Sequence, residues 1–176
     1  LHRAFRVAME GRPGPVYLDL PEDVLTGLAA AESIPQENRR PEICNHTAIA
    51  NAAELLLSAV RPGLIVGKGV RWSEPYDELE RLVDDFGIPF ITSPMGRGFL
   101  PDDHPLCFND ARSVLQAAPD VILLVGARLD WTFRFGTELA RDARLIHVDI
   151  HGPEIGVNRT PVVGIQGDVR MVLERL

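Results

Sequence analysis

Val121-Ile122-Leu123-Leu124-Val125-Gly126-Ala127-Arg128 opens on an unbroken apolar run, rich in β-branched residues, and stops at a glycine. A run this short and this uniformly apolar reads as a strand buried on both faces, as in a parallel sheet covered by helices. The same form recurs on either side. Leu64-Ile65-Val66 is followed by Gly67-Lys68-Gly69, and Pro89-Phe90-Ile91-Thr92 by Ser93-Pro94-Met95-Gly96-Arg97-Gly98. Further strands are predicted over 144–150 and 162–165, and helices over 47–60 (opening on Thr47 as a cap), 74–86, 110–118 and 169–176. Helices alternating with buried strands predict a doubly wound α/β fold. Its parallel sheet has about five or six strands with helices on both faces, a Rossmann-like arrangement.

The N-terminal part has a different character. Leu1, Ala4, Phe5 and Ala8 fall at helical spacing, so the chain starts inside a helix and is expected to be a piece of a longer protein. The helix stops at Gly11, and Val16-Tyr17-Leu18-Asp19-Leu20 reads as a strand closed by Pro21. Residues 26–45 carry Pro35 and Pro41 among Glu, Asn and Arg, which is linker composition. The division expected is therefore 1–25 as the end of a preceding domain, 26–45 as linker and 46–176 as the doubly wound domain.

Composition narrows the function classes. The 176 residues include 18 Lys and Arg against 25 Asp and Glu, a net charge of −7, and no basic stripe of the kind that tracks a phosphate backbone. Cys44 and Cys107 are too few for a disulfide framework and lack zinc-site spacing. No apolar run approaches a membrane span and no leader pattern opens the sequence, so a cytoplasmic protein is expected.

In an open parallel sheet ligands bind beyond the carboxyl ends of the strands, so the residues just after each strand carry the chemistry. Glycines at 67, 69, 96 and 98 would let a phosphate approach the backbone, with Lys68 and Arg97 supplying charge. Arg128 offers a guanidinium fork for phosphate. Asp149 closes the fourth strand, where a carboxylate can accept from two ribose hydroxyls, and Gly167-Asp168-Val169 offers backbone to an adenine edge. Each loop also has an ordinary reading: chains need glycine to turn, and none of these loops is a strict phosphate-binding fingerprint. His147, Asp149 and His151 share a face by period two, but a third neutral metal ligand is not evident. Trp131, Phe133 and Phe135 are expected to pack around their loop. No hydrolase signature is present.

Gly11-Arg12-Pro13-Gly14-Pro15-Val16-Tyr17-Leu18-Asp19-Leu20-Pro21 closely resembles the end of the pyrimidine-binding domain of acetolactate-synthase-like thiamine-diphosphate enzymes. Arg61-Pro62, Gly67-Lys68-Gly69, Pro94-Met95-Gly96-Arg97-Gly98 and Pro101-Asp102-Asp103-His104-Pro105 resemble the same family's central domain, a Rossmann-like domain of the DHS-like NAD/FAD-binding type. Val125-Gly126-Ala127-Arg128-Leu129-Asp130-Trp131 and His147-Val148-Asp149-Ile150 resemble most the oxalyl-CoA decarboxylase and 2-hydroxyacyl-CoA lyase branch, which usually has Asn where this chain has Asp130. The resemblance implies a three-domain, homo-oligomeric enzyme in which a thiamine ylid attacks a carbonyl and a carbon–carbon bond is broken or made. It places thiamine diphosphate and Mg2+ in the outer domains, so this segment alone is expected to be inactive. It further implies contacts to ADP, or to the adenine nucleotide part of CoA, from Arg12, Lys68, Arg128, Asp149 and Val169, with Gly96 close by. FAD occupies the equivalent cleft in the acetolactate synthase branch. In other members the cleft is a structural spacer.

Overall fold

A computed structural model describes residues 1–28 and 45–176; most of the expected linker, and Cys44, lie outside the described residues. The chain divides into two units, Leu1–Arg40 and Pro41–Leu176. The first contains helix α1 (His2–Met9) and the short helix α2 (Glu22–Thr26). The helix stops where expected, with Gly11 at φ +61°. Residues 16–20 join no strand ladder, because a strand needs a hydrogen-bonded neighbour and local sequence supplies none.

The second unit runs α3 (His46–Leu57), β1 (Pro62–Val66), α4 (Val70–Ser73), α5 (Tyr76–Asp84), β2 (Phe90–Thr92), α6 (Arg112–Ala117), β3 (Val121–Val125), β4 (Arg144–Asp149), β5 (Val163–Gln166) and α7 (Val169–Leu173). Its strands form one five-stranded sheet in the order β2-β1-β3-β4-β5, parallel throughout. The expected α/β doubly wound fold is present. No described helix is long and apolar enough to cross a membrane.

Period-two alternation gives β1 to β4 two buried faces, whereas the edge strand β5 buries Val163 and Ile165 and exposes Gly164 and Gln166. Leu64, Val66, Phe90, Leu123, Val125, Ile146 and Val148 pack on one side with α3, α5 and α7. Ile65, Ile91, Ile122, Leu124 and Leu145 pack on the other with Leu115 of α6 and with Leu129, Phe133 and Leu139 from the segment between β3 and β4. This explains why β1, β2 and β3 read as continuous apolar runs: neither of their faces meets water.

Local chemistry moved several boundaries. Asn45, not Thr47, caps α3, its side chain accepting from the Ala48 amide at 2.9 Å. The spacing from the cap to the third helical amide selects Asn45. The helix expected over 74–86 begins at Tyr76, because Pro75 disfavours helical backbone at Glu74, which turns left-handed at φ 49°. The helix expected over 110–118 opens as a 3-10 turn, Asn109–Ala111, before α6. The last helix ends at Leu173 instead of 176.

Candidate functional site

Because every strand is parallel, the loops after β1 to β5 share one rim, and the strand order reverses direction between β1 and β3. That reversal opens the crevice in which such sheets hold ligands. At this point the loop after β1 lies directly on the loop after β3, with the Gly69 amide donating to the Gly126 carbonyl at 2.9 Å. A Cβ at Gly67 would run into the Gly126 carbonyl and Ala127, and one at Gly69 would stand 2.8 Å from Gly126 Cα. At Gly96 a Cβ would stand 2.7 Å from the Val66 carbonyl oxygen. These glycines are therefore required by backbone-on-backbone packing of three loops. This packing gives Gly67, Gly69 and Gly96 a role in the fold beside the expected approach of a phosphate to their backbone. The Gly96 amide itself is taken by the Ser93 carbonyl at 2.9 Å and by the Ser93 hydroxyl at 3.1 Å.

Around this platform the rim is polar. Lys68 is exposed between the two loop glycines. Arg128 leaves the end of β3 and pairs through Nε with Glu154 Oε2 at 3.2 Å, its side chain 42% exposed and that of Glu154 15%. Asp149, the last residue of β4, is 8% exposed, and its Oδ1 accepts from the His151 amide at 2.8 Å. Burial raises the Asp149 pKa above its ordinary value, outweighing the His151 hydrogen bond and the nearby His147. Val169 is the first residue of α7, buried, directly after the capping Asp168. Lys68, Gly96, Arg128, Asp149 and Val169 thus all stand at the same edge of the sheet. Arg12 lies in the first unit, in the turn after α1.

Two neighbouring residues escaped sequence reading. Glu154 ends a 3-10 turn, Gly152–Glu154, that follows Asp149. Arg112 arrives by the crossover after β2: its Nη1 donates to the Thr92 carbonyl at 2.6 Å, and its guanidinium lies 5.3 Å from the centre of the Phe133 ring. Burial, and then the like charge of Arg97, lowers its pKa. Neither residue follows a strand directly, so a rule that looks only at strand ends passes over both. Their signal in the sequence was position at a helical turn next to a rim loop.

The aromatic expectation needs correction. Phe133 is buried at 2%, but Trp131 and Phe135 are 75% and 55% exposed. Arg134 and Phe135 are both left-handed, at φ 45° and 55°, and both of their side chains are exposed. His147 is held within the protein, its Nε2 on the Ala127 carbonyl at 3.1 Å and its Nδ1 accepting from the Gly156 amide at 3.4 Å. No group of three or more His, Cys, Asp or Glu suited to a metal ion occurs among the described residues. Asp168 caps α7 by accepting from the Met171 amide at 3.3 Å. These residues do not fit a metal–diphosphate site, whereas cations and a strand-end carboxylate on one rim fit the phosphate and ribose of a nucleotide.

Fold and rim together define a doubly wound α/β domain with a charged crevice at its topological switch point. The chain belongs to the family described as thiamine pyrophosphate enzyme, central domain, which it matches over residues 49–176. It is 41% identical to a 2-hydroxyacyl-CoA lyase of Oryza sativa, over 98% of this chain and 32% of that protein. It is 40% identical to the oxalyl-CoA decarboxylase of Escherichia coli, over 96% of this chain and 31% of that protein. With a probable acetolactate synthase large subunit of Methanocaldococcus jannaschii the identity is 35%, over 98% and 32%. The chain spans about a third of the length of these relatives.

Proposed function

We propose that this chain is the middle part of a thiamine-diphosphate-dependent carbon–carbon lyase or decarboxylase acting on 2-hydroxyacyl-CoA or oxalyl-CoA. In this reading its rim binds ADP or the adenine nucleotide part of CoA. Residues 1–25 end the pyrimidine-binding domain, 26–45 link and 46–176 form the central domain. Thiamine diphosphate and Mg2+ belong to the outer domains, which hold the reacting centre of a cytoplasmic homo-oligomer.

The observation that carries the nucleotide assignment is Asp149, a buried carboxylate at a strand end on the same rim as Arg128 and Lys68. Its Oδ1 accepts from the His151 amide, and a carboxylate has further lone pairs for which ribose hydroxyls are suitable donors. Lys68 and Arg128 supply the phosphate charge, with Gly96 and Val169 as further contacts.

An FAD-binding domain of acetolactate-synthase type is the second reading, supported by the likeness to the M. jannaschii protein. A spacer without ligand is the third, supported by rim glycines engaged in loop packing.

Thermal unfolding with ADP, CoA, FAD and NAD separates these readings, because a ligand that binds only the folded state raises Tm. A rise with ADP or CoA is expected, and Asp149→Ala and Arg128→Ala should each diminish it. A rise with FAD alone would transfer the assignment to the flavin reading, and no rise with any of the four would leave the spacer.

A further inference from the structure

We infer that Glu154 and His147 are positioning residues that aim the Arg128 guanidinium at a phosphate; the inference rests on the nucleotide reading above. Glu154 holds Arg128 at Nε, 3.2 Å from its Oε2, and among the described residues no hydrogen bond engages the terminal Nη groups of Arg128. A guanidinium held at Nε keeps its other donors for a second acceptor, and its rigid plane means that fixing one edge directs the rest. With the Arg128 side chain 42% exposed, solvent screening keeps the pair's contribution to stability small.

The backbone beneath the pair is braced as well. The buried His147 ring donates from Nε2 to the carbonyl of Ala127, which immediately precedes Arg128, and accepts at Nδ1 from Gly156, two residues beyond Glu154. One side chain in β4 thus spans the two segments that carry the pair. The pattern requires a neutral ring protonated on Nε2, and burial favours the neutral form. A ring 1% exposed and hydrogen-bonded at both nitrogens holds its two anchor points at a set separation.

The test is titration of the chain and its variants with ADP and with adenosine, which lacks the phosphates. Glu154→Gln and His147→Leu are each expected to weaken ADP binding about tenfold while leaving adenosine affinity unchanged. His147→Gln should restore much of the loss, since a carboxamide offers one donor and one acceptor. Glu154→Gln, an isosteric change in a surface turn, carries the test if His147→Leu does not fold. The inference is overturned if Glu154→Gln binds ADP like the unaltered chain while Arg128→Ala does not, or if ADP and adenosine weaken equally. An unaltered chain that binds no ADP overturns the nucleotide reading itself, and this inference with it.

Discussion

The fold sets Asp149 where burial works against its charge. Free of the fold the group titrates near 3.8, and burial raises that value in the folded protein. Stability linked to this carboxyl is therefore present below pH 3.8 and is lost as pH rises through the folded pKa, leaving the ionised form a net cost at neutral pH. Asp149→Asn keeps the acceptor for the His151 amide but removes the charge. It is expected to raise Tm at neutral pH, to lose that advantage below pH 3.8 and to weaken ADP binding. Melting curves across this pH range check it, and a lower Tm at neutral pH would mean that the charge is better compensated than its burial implies. The acidic residue was legible because it closes a strand. Glu154 and Arg112 were not, because neither directly follows a strand and only the folded chain sets them beside the rim loops.

At the scale of elements, the loops after β1, β2 and β3 act as one packed unit. Gly67→Ala places a methyl against the Gly126 carbonyl and the Ala127 backbone, neither of which can rotate away. A loss of roughly 1–3 kcal/mol in unfolding free energy is expected without any ligand present. Chemical denaturation of the variant measures it, and unchanged stability would show that the loops yield to a methyl at this position. The sequence marked these positions as glycine but did not reveal what crowds them, since the neighbour of Gly67 lies in a loop some sixty residues away. Strand β3 coincides with its predicted bounds, as a uniform apolar run flanked by breakers should. Helix starts were less legible: α3 took Asn45 as cap and α5 waited for Pro75.

For the doubly wound unit as a whole, stability resides in the two apolar layers against the sheet. Leu124 is fully buried in the layer of α6 and Phe133. Leu124→Ala is expected to cost about 2–5 kcal/mol, whereas Val60→Ala, at a site 79% exposed, should change stability by less than about 0.5 kcal/mol. Equal unfolding midpoints for the two variants would show that the sheet is not the stabilising core. The sequence by itself determined the class of fold, the strands and the rim that carries Lys68, Arg128 and Asp149, because apolar runs and breakers act locally and every strand of a parallel sheet ends on the same edge. Only the tertiary structure decided the strand order, the loop contacts behind the glycines, the exposure of Trp131 and Phe135, and the pairing of Arg128 with Glu154 over the His147 brace. Those features depend on groups distant in the chain meeting in space, and the hydrophobic pattern that folds the sheet does not encode which polar side chains will then be neighbours.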